Sequence, residues 1–163
     1  MSRRGVSLVF GGGRVGLMGT VADAVLAGGG RAVGIIPGHL YDQEVGHTDL
    51  SELHVVETMH VRKQMMFDLS DAFAILPGGI GTLDEAFEIL SWRQLSLHQK
   101  PVILFDEGGY WAPFRALVDH VVAEGFAGQS SYDMFTVVGS VEGLFAAIEA
   151  APEPAAEPRT ELL

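Results

Sequence analysis

The chain has 163 residues, of which 48% are hydrophobic and 19% charged, enough for one domain with a real core. It contains no cysteine, which excludes disulfides and thiolate metal sites, and no apolar run long enough to cross a bilayer. A net charge of −11 argues against nucleic acid and anionic membranes as partners, and it obliges any anionic ligand to rely on backbone donors or on a few of the ten Lys and Arg residues.

Ser2-Arg3-Arg4 leads into a strand rather than a signal-peptide core, so the expected compartment is the cytosol. Arg3-Arg4-Gly5 resembles the last turn and C-cap of a helix. Ser7–Phe10 reads as a strand broken by Gly11-Gly12-Gly13, and Met18–Leu26 as a helix stopped by Gly28-Gly29-Gly30. Ala32–Ile36 is the next strand, closed by Pro37-Gly38, and the polar stretch from His39 to Glu52 reads as loop. Leu53–Val56 follows as a short strand. His60–Ser70 reads as a helix with Val61, Met65 and Leu69 on one face.

Ala72–Leu76 reads as a buried strand ended by Pro77-Gly78-Gly79. Thr82–Leu97 is the clearest helix, with Leu83, Phe87 and Leu90 beginning an apolar stripe that runs on to Leu97. Val102–Phe105 is a strand, Tyr110–Glu124 a helix ended by Gly125, Met134–Val138 a strand and Val141–Ala150 a last helix. The strands are continuous apolar runs that alternate with helices. That pattern predicts a three-layer α/β fold with a parallel, doubly wound, Rossmann-like sheet over residues 1–150. Residues 151–163, rich in Pro, Glu and Ala, are expected to be a disordered tail.

Two glycine loops stand at the carboxyl ends of strands, where ligands bind in such sheets. Gly11-Gly12-Gly13-Arg14-Val15-Gly16 has the dinucleotide spacing, but the next strand ends Ile35-Ile36-Pro37-Gly38 and lacks the acidic residue that would hold a ribose. Two readings stay open there: a tight turn for close helix packing, and phosphate binding at a helix start without a dinucleotide.

Pro77-Gly78-Gly79-Ile80-Gly81-Thr82-Leu83-Asp84-Glu85 is the stronger signal. Its glycines let backbone N–H groups converge on an anion, and the following helix adds its positive end. No lysine follows the last glycine, so this is not a triphosphate loop. Glu85 carries two readings. Thr82 and Glu85 have the spacing of a capping box. A carboxylate beside a phosphate site would also serve cleavage of an N-glycosidic bond, in which positive charge develops on the ribose.

Met59-His60-Val61-Arg62-Lys63 places two cations at a helix start, against the helix dipole, which marks Arg62 as a candidate for gripping phosphate or ribose. The six histidines show no metal-ligand spacing, and no metal site is expected. His60 and His98 read as surface or helix-end residues, and Phe87 and Trp92 as core or subunit-contact residues.

Taken together, Gly11–Gly19, Met59–Lys63 and Pro77–Glu85 resemble the LOG (Lonely Guy) family of cytokinin riboside 5′-monophosphate phosphoribohydrolases, whose members are often mislabelled lysine decarboxylases. The resemblance runs from about Arg4 to Ala150. It implies hydrolysis of AMP or N6-modified AMP to the free base and ribose 5-phosphate, without a cofactor, by a homodimer. It makes Arg62 and Glu85 the catalytic pair and Gly78, Gly79, Gly81 and Thr82 the phosphate cradle. Gly12, Gly13, Met18, Lys63 and Glu44 are implied as further substrate contacts. Asp84 stands where many members have Glu.

The family's usual first strand and helix are expected to be missing from this chain. A pyridoxal-dependent decarboxylase would need a Schiff-base lysine, and neither Lys63 nor Lys100 has a cofactor motif around it. The alternative function is a nucleotide- or cofactor-binding carrier or sensor without hydrolysis.

Overall fold

A computed structural model describes residues 1–41 and 49–152. The chain divides into two compact units, Met1–Ser70 and Asp71–Leu163. Each holds a three-stranded parallel sheet with helices packed on it, an α/β Rossmann-like arrangement.

The first unit opens with a short 3-10 turn, Ser2–Arg4, closed by Gly5 in the left-handed region at φ 67°, as Arg3-Arg4-Gly5 suggests. Strand β1 (Leu8–Phe10) leads through the first glycine loop into helix α1 (Leu17–Ala27). Strand β2 (Ala32–Pro37) follows, then a single helical turn, α2 (Gly38–Tyr41), inside the stretch read as loop. Strand β3 (Glu52–Val56) and helix α3 (Met59–Asp68) complete the unit. The strand order is β1-β2-β3, all parallel, with Phe10 beside Gly34 and Ile35 beside His54. Every residue of the central strand β2 is buried, which explains its unbroken apolar sequence. Its Val33, Ile35 and Ile36 form the core with Phe10, Ala22 and Val25.

The second unit begins with β4 (Phe73–Ile75) and helix α4 (Ile80–Gln94). Strand β5 (Val102–Phe105), helix α5 (Ala112–Ala123), a 3-10 segment (Gln129–Met134), strand β6 (Thr136–Val138) and helix α6 (Val141–Glu149) follow. The order is β4-β5-β6, again parallel. Val102, Ile103 and Leu104 of central β5 are almost completely buried, and Val102 and Leu104 pack with Ile75, Ala86, Leu90, Trp111 and Phe114. Burying side chains of this size contributes roughly 1.5–3 kcal/mol each.

Several expectations change. Strand β4 is not buried throughout, because Ala74 is exposed beside buried Ile75. The buried stripe of α4 is Ala86 and Leu90 with Leu83 against it, whereas Phe87 is 42% exposed and Leu97 lies beyond the helix end, 57% exposed. His98 is buried, not superficial, and its Nε2 lies 2.8 Å from the Ile89 carbonyl oxygen. Residues 42–48, which include Glu44, and residues 153–163 of the expected tail lie outside the described residues. Among the described residues, no helix is long and apolar enough to cross a membrane.

Candidate functional site

In the first unit the expected residues gather at the carboxyl ends of β1 and β2. Gly11, Gly12 and Gly13 are all buried there. Gly12 has φ +75°, and a Cβ on it would meet Ile36 Cβ at 3.2 Å and the Ile35 nitrogen at 3.3 Å. The position therefore needs glycine both for its backbone conformation and for its close approach to β2. Gly16 then caps α1 at φ 66°. Met18, in the first turn of α1, is 36% exposed.

Helix α3 reverses the usual logic of an amphipathic helix. Val61 and Leu69, expected on its apolar face, are about half exposed, while the helix's one buried residue is Arg62. Thr58 caps the helix by accepting a hydrogen bond from the Val61 N–H at 3.2 Å. That cap places Arg62 in the first turn, and its side chain reaches back over β2, where Nε donates to the Ile35 carbonyl oxygen at 3.2 Å. A buried guanidinium is costly unless hydrogen bonded, and β2 supplies part of that compensation. Lys63, its neighbour, is half-buried.

In the second unit the loop after β4 carries the remaining candidates. Helix α4 begins at Ile80 with Gly79 as its N-cap, and its first backbone bond runs from the Leu83 N–H to the Gly79 carbonyl oxygen. This corrects the capping-box reading. Thr82 is the third residue inside the helix, not its cap, and Glu85 is the sixth. The N–H groups of Ile80, Gly81 and Thr82 precede the first intrahelical bond, so they form the donor end of the helix. Gly79 and Gly81 are exposed, with open space where a Cβ would stand. Gly78 differs, because a Cβ on it would overlap the Thr82 hydroxyl. Thr82 is thus folded back against the loop, and Glu85 follows one turn later on the same face of α4. Both are half-buried.

One residue was missed at the sequence level. The Tyr110 hydroxyl donates to the Gly78 carbonyl oxygen at 2.6 Å. Tyr110 sits in the loop between β5 and α5, after Gly108 and Gly109, which both have positive φ. The next residue, Trp111, is held by its N–H to Asp106 Oδ1 at 3.0 Å. The available signal was position alone, since this loop also follows the carboxyl end of a strand. Among the described residues, no cluster of acidic and histidine side chains is arranged to hold a metal ion.

A parallel α/β fold with a glycine-lined helix start and a buried arginine at strand ends defines a Rossmann-like protein suited to anionic ligands. Residues 18–148 match the profile of the family described as "possible lysine decarboxylase". A cytokinin riboside 5′-monophosphate phosphoribohydrolase from Rhodococcoides fascians is 45% identical over 91% of this chain and 75% of its own length. An enzyme of that name from rice, Oryza sativa subsp. japonica, is 44% identical over 78% of this chain and 53% of its own. One from Arabidopsis thaliana is 39% identical over 90% and 68%. The chain belongs to this family, the LOG family.

The chain thus spans about three quarters of the Rhodococcoides relative and about half of the rice one. Among solved structures, the molybdenum cofactor binding protein from Rippkaea orientalis matches with a TM-score of 0.64 at 21% identity, covering 91% of this chain and 78% of that one. That likeness bears on the fold alone.

Proposed function

We propose that this protein hydrolyses the N-glycosidic bond of a nucleoside 5′-monophosphate, AMP or an N6-modified AMP, to the free base and ribose 5-phosphate. The observation that carries the reading is the start of α4. With Gly79 as the cap, Thr82 and Glu85 are both released from capping and stand one helical turn apart on one face. A 5′-phosphate and the C1′ of the same ribose are separated by a comparable span. The phosphate sits on the N–H groups of Ile80, Gly81 and Thr82 and on the Thr82 hydroxyl, between Gly78, Gly79 and Gly81. Glu85 then serves C1′.

In the reaction a water oxygen bonds to C1′ while the bond from C1′ to the base breaks. The bonding electrons leave with the base, which takes up a proton. Glu85 accepts the water proton or stabilises the positive charge that develops on the ribose. Arg62, with Nε held by Ile35, keeps its terminal nitrogens as donors for oxygens of the nucleotide, the role that the family resemblance implies for it. Gly12, Gly13, Met18 and Lys63 contribute further contacts. Relatives whose names specify a cytokinin riboside 5′-monophosphate support the substrate class. The decarboxylase description finds no support in the chemistry of Lys63 or Lys100.

The same reading includes a homodimer in the cytosol. Ile80, Phe87 and Leu95 leave apolar surface exposed along α4, which a second copy would cover, and a chain without cysteine suits a reducing compartment. Light scattering on a sizing column gives the mass directly.

The deciding experiment incubates the protein with AMP and with isopentenyl-AMP and separates the products. Release of adenine or isopentenyladenine with equimolar ribose 5-phosphate is expected. Ligand-dependent thermal stabilisation without release of base from either nucleotide would overturn hydrolysis and leave a binding protein.

A further inference from the structure

The three consecutive glycines after β1 do not do the same work. Gly12 has positive φ, but Gly11 does not, so no backbone conformation demands glycine at position 11. What demands it is Arg62. A Cβ on Gly11 would overlap Arg62 Nη2, and it would stand 3.0 Å from Cζ and 3.5 Å from Nε. The guanidinium therefore approaches Gly11 by its Nη2 edge, while its Nε is tied to the Ile35 carbonyl oxygen on the neighbouring strand. β1 and β2 are paired in register here, with Phe10 opposite Gly34, so Gly11, just past the end of β1, follows Phe10 as Ile35 follows Gly34. A guanidinium is planar and rigid. Fixing Nε on one side and the room for Nη2 on the other sets the direction of the whole group.

We propose that Gly11 is a positioning residue for Arg62: its missing Cβ is the slot that the Nη2 edge occupies. Together with the Ile35 carbonyl, that slot aims the guanidinium used in the reaction proposed above, and the inference rests on that reading for its catalytic consequence. An alanine at position 11 pushes the guanidinium out of the slot or turns it about Nε. The first glycine of a motif that looks like a dinucleotide loop is then explained by an arginine and not by a pyrophosphate.

The test is a double-mutant cycle of Gly11→Ala with Arg62→Met, which keeps an apolar stem and removes the fork. Three measurements are made: melting temperature, the side-chain Nε–H resonance of Arg62 in a 15N spectrum, and the rate of base release. Gly11→Ala alone is expected to move the Arg62 resonance, lower Tm by several degrees and cut kcat about tenfold or more with a smaller change in KM. In the Arg62→Met background the same alanine is expected to change Tm by less than about 1 °C, because the clash is gone. Gly12→Ala, at a position with positive φ, serves as the control and costs stability in both backgrounds.

Equal losses from Gly11→Ala in both backgrounds, or an unmoved Arg62 resonance, would overturn the proposal. If Gly11→Ala fails to fold, folding of the double variant supports it and misfolding of both refutes it. Should the wild type release no base from any nucleotide, the hydrolase reading fails. The resonance and the melting cycle still decide the role of Gly11.

Discussion

The hydroxyl of Tyr110 donates a 2.6 Å hydrogen bond to the carbonyl oxygen of Gly78, joining the loop after β5 to the glycine loop after β4. The bond fixes one peptide of the proposed phosphate cradle from outside the cradle's own sequence. Tyr110→Phe removes the bond and little else, because the ring keeps its edge-to-face contact with Trp111 at 5.1 Å. We expect KM for the nucleotide to rise about three- to tenfold with kcat nearly unchanged, a cost of about 1 kcal/mol in keeping with one hydrogen bond. Steady-state kinetics on AMP check it. A loss confined to kcat would move Tyr110 away from phosphate binding.

Glu85 lies in the second turn of α4, which removes it from capping the helix that starts at Ile80. Glu85→Gln should therefore leave the melting temperature within about 1–2 °C, because the amide keeps the size and shape of the half-buried carboxylate. Base release should fall by about 10²–10⁴, as expected on losing a positioned acid–base group. Calorimetry should still detect AMP binding. A stability loss matching the activity loss would return Glu85 to a structural role.

Gly78 has no room for a side chain, since a Cβ there would displace the Thr82 hydroxyl. Gly79 has nothing near the corresponding position. Gly78→Ala is thus expected to weaken AMP binding at least tenfold by turning Thr82 out of place, with adenosine binding much less affected. Comparative titration with the nucleotide and the nucleoside separates the two, and equal weakening of both would exclude a phosphate-specific effect.

Leu104 is fully buried at the centre of β5 and belongs to the core of the second unit. Leu104→Ala should cost about 2–5 kcal/mol, the sum of lost transfer energy and the cavity left behind. Urea unfolding followed by tryptophan fluorescence reads this, because Trp111 belongs to the same cluster.

Tyr132 donates a hydrogen bond to Asp119 Oδ1 at 2.9 Å. That bond raises its phenol above 10.0, with desolvation and the Asp119 charge adding in the same direction. The folded state favours the neutral phenol. The associated stability is fully present below the unfolded value near 10 and is lost as pH rises through the higher folded value. The chain has three tyrosines, so an alkaline titration of tyrosinate absorbance is simple to resolve. A step above 10.0 should disappear in Tyr132→Phe. An unchanged profile would show that the bond does not persist in solution.

The two sources of information divide along physical lines. Alternation of apolar runs with helical stretches is a local pattern, so the strands at Ala32–Pro37 and Val102–Phe105 and the helices after each glycine loop were legible to within a few residues. The glycine loops and the Arg62-Lys63 pair were legible because glycines and cations in an acidic chain are conspicuous, and they sufficed to indicate the LOG family. Tertiary structure decided what each residue packs against. Helical periodicity put Val61 and Leu69 together on one face of α3, but the residue that α3 buries is Arg62, because the Ile35 carbonyl accepts from its Nε and Gly11 leaves room for its Nη2. Spacing allowed a capping box of Thr82 and Glu85, but the cap of α4 lies three residues earlier, at Gly79. Tyr110 had no local signal, since its partner Gly78 lies 32 residues away in sequence. Periodicity and loop chemistry are written in neighbouring residues. The aim of an arginine, the start of a helix and the bracing of a loop depend on distant partners that meet only when the sheets form.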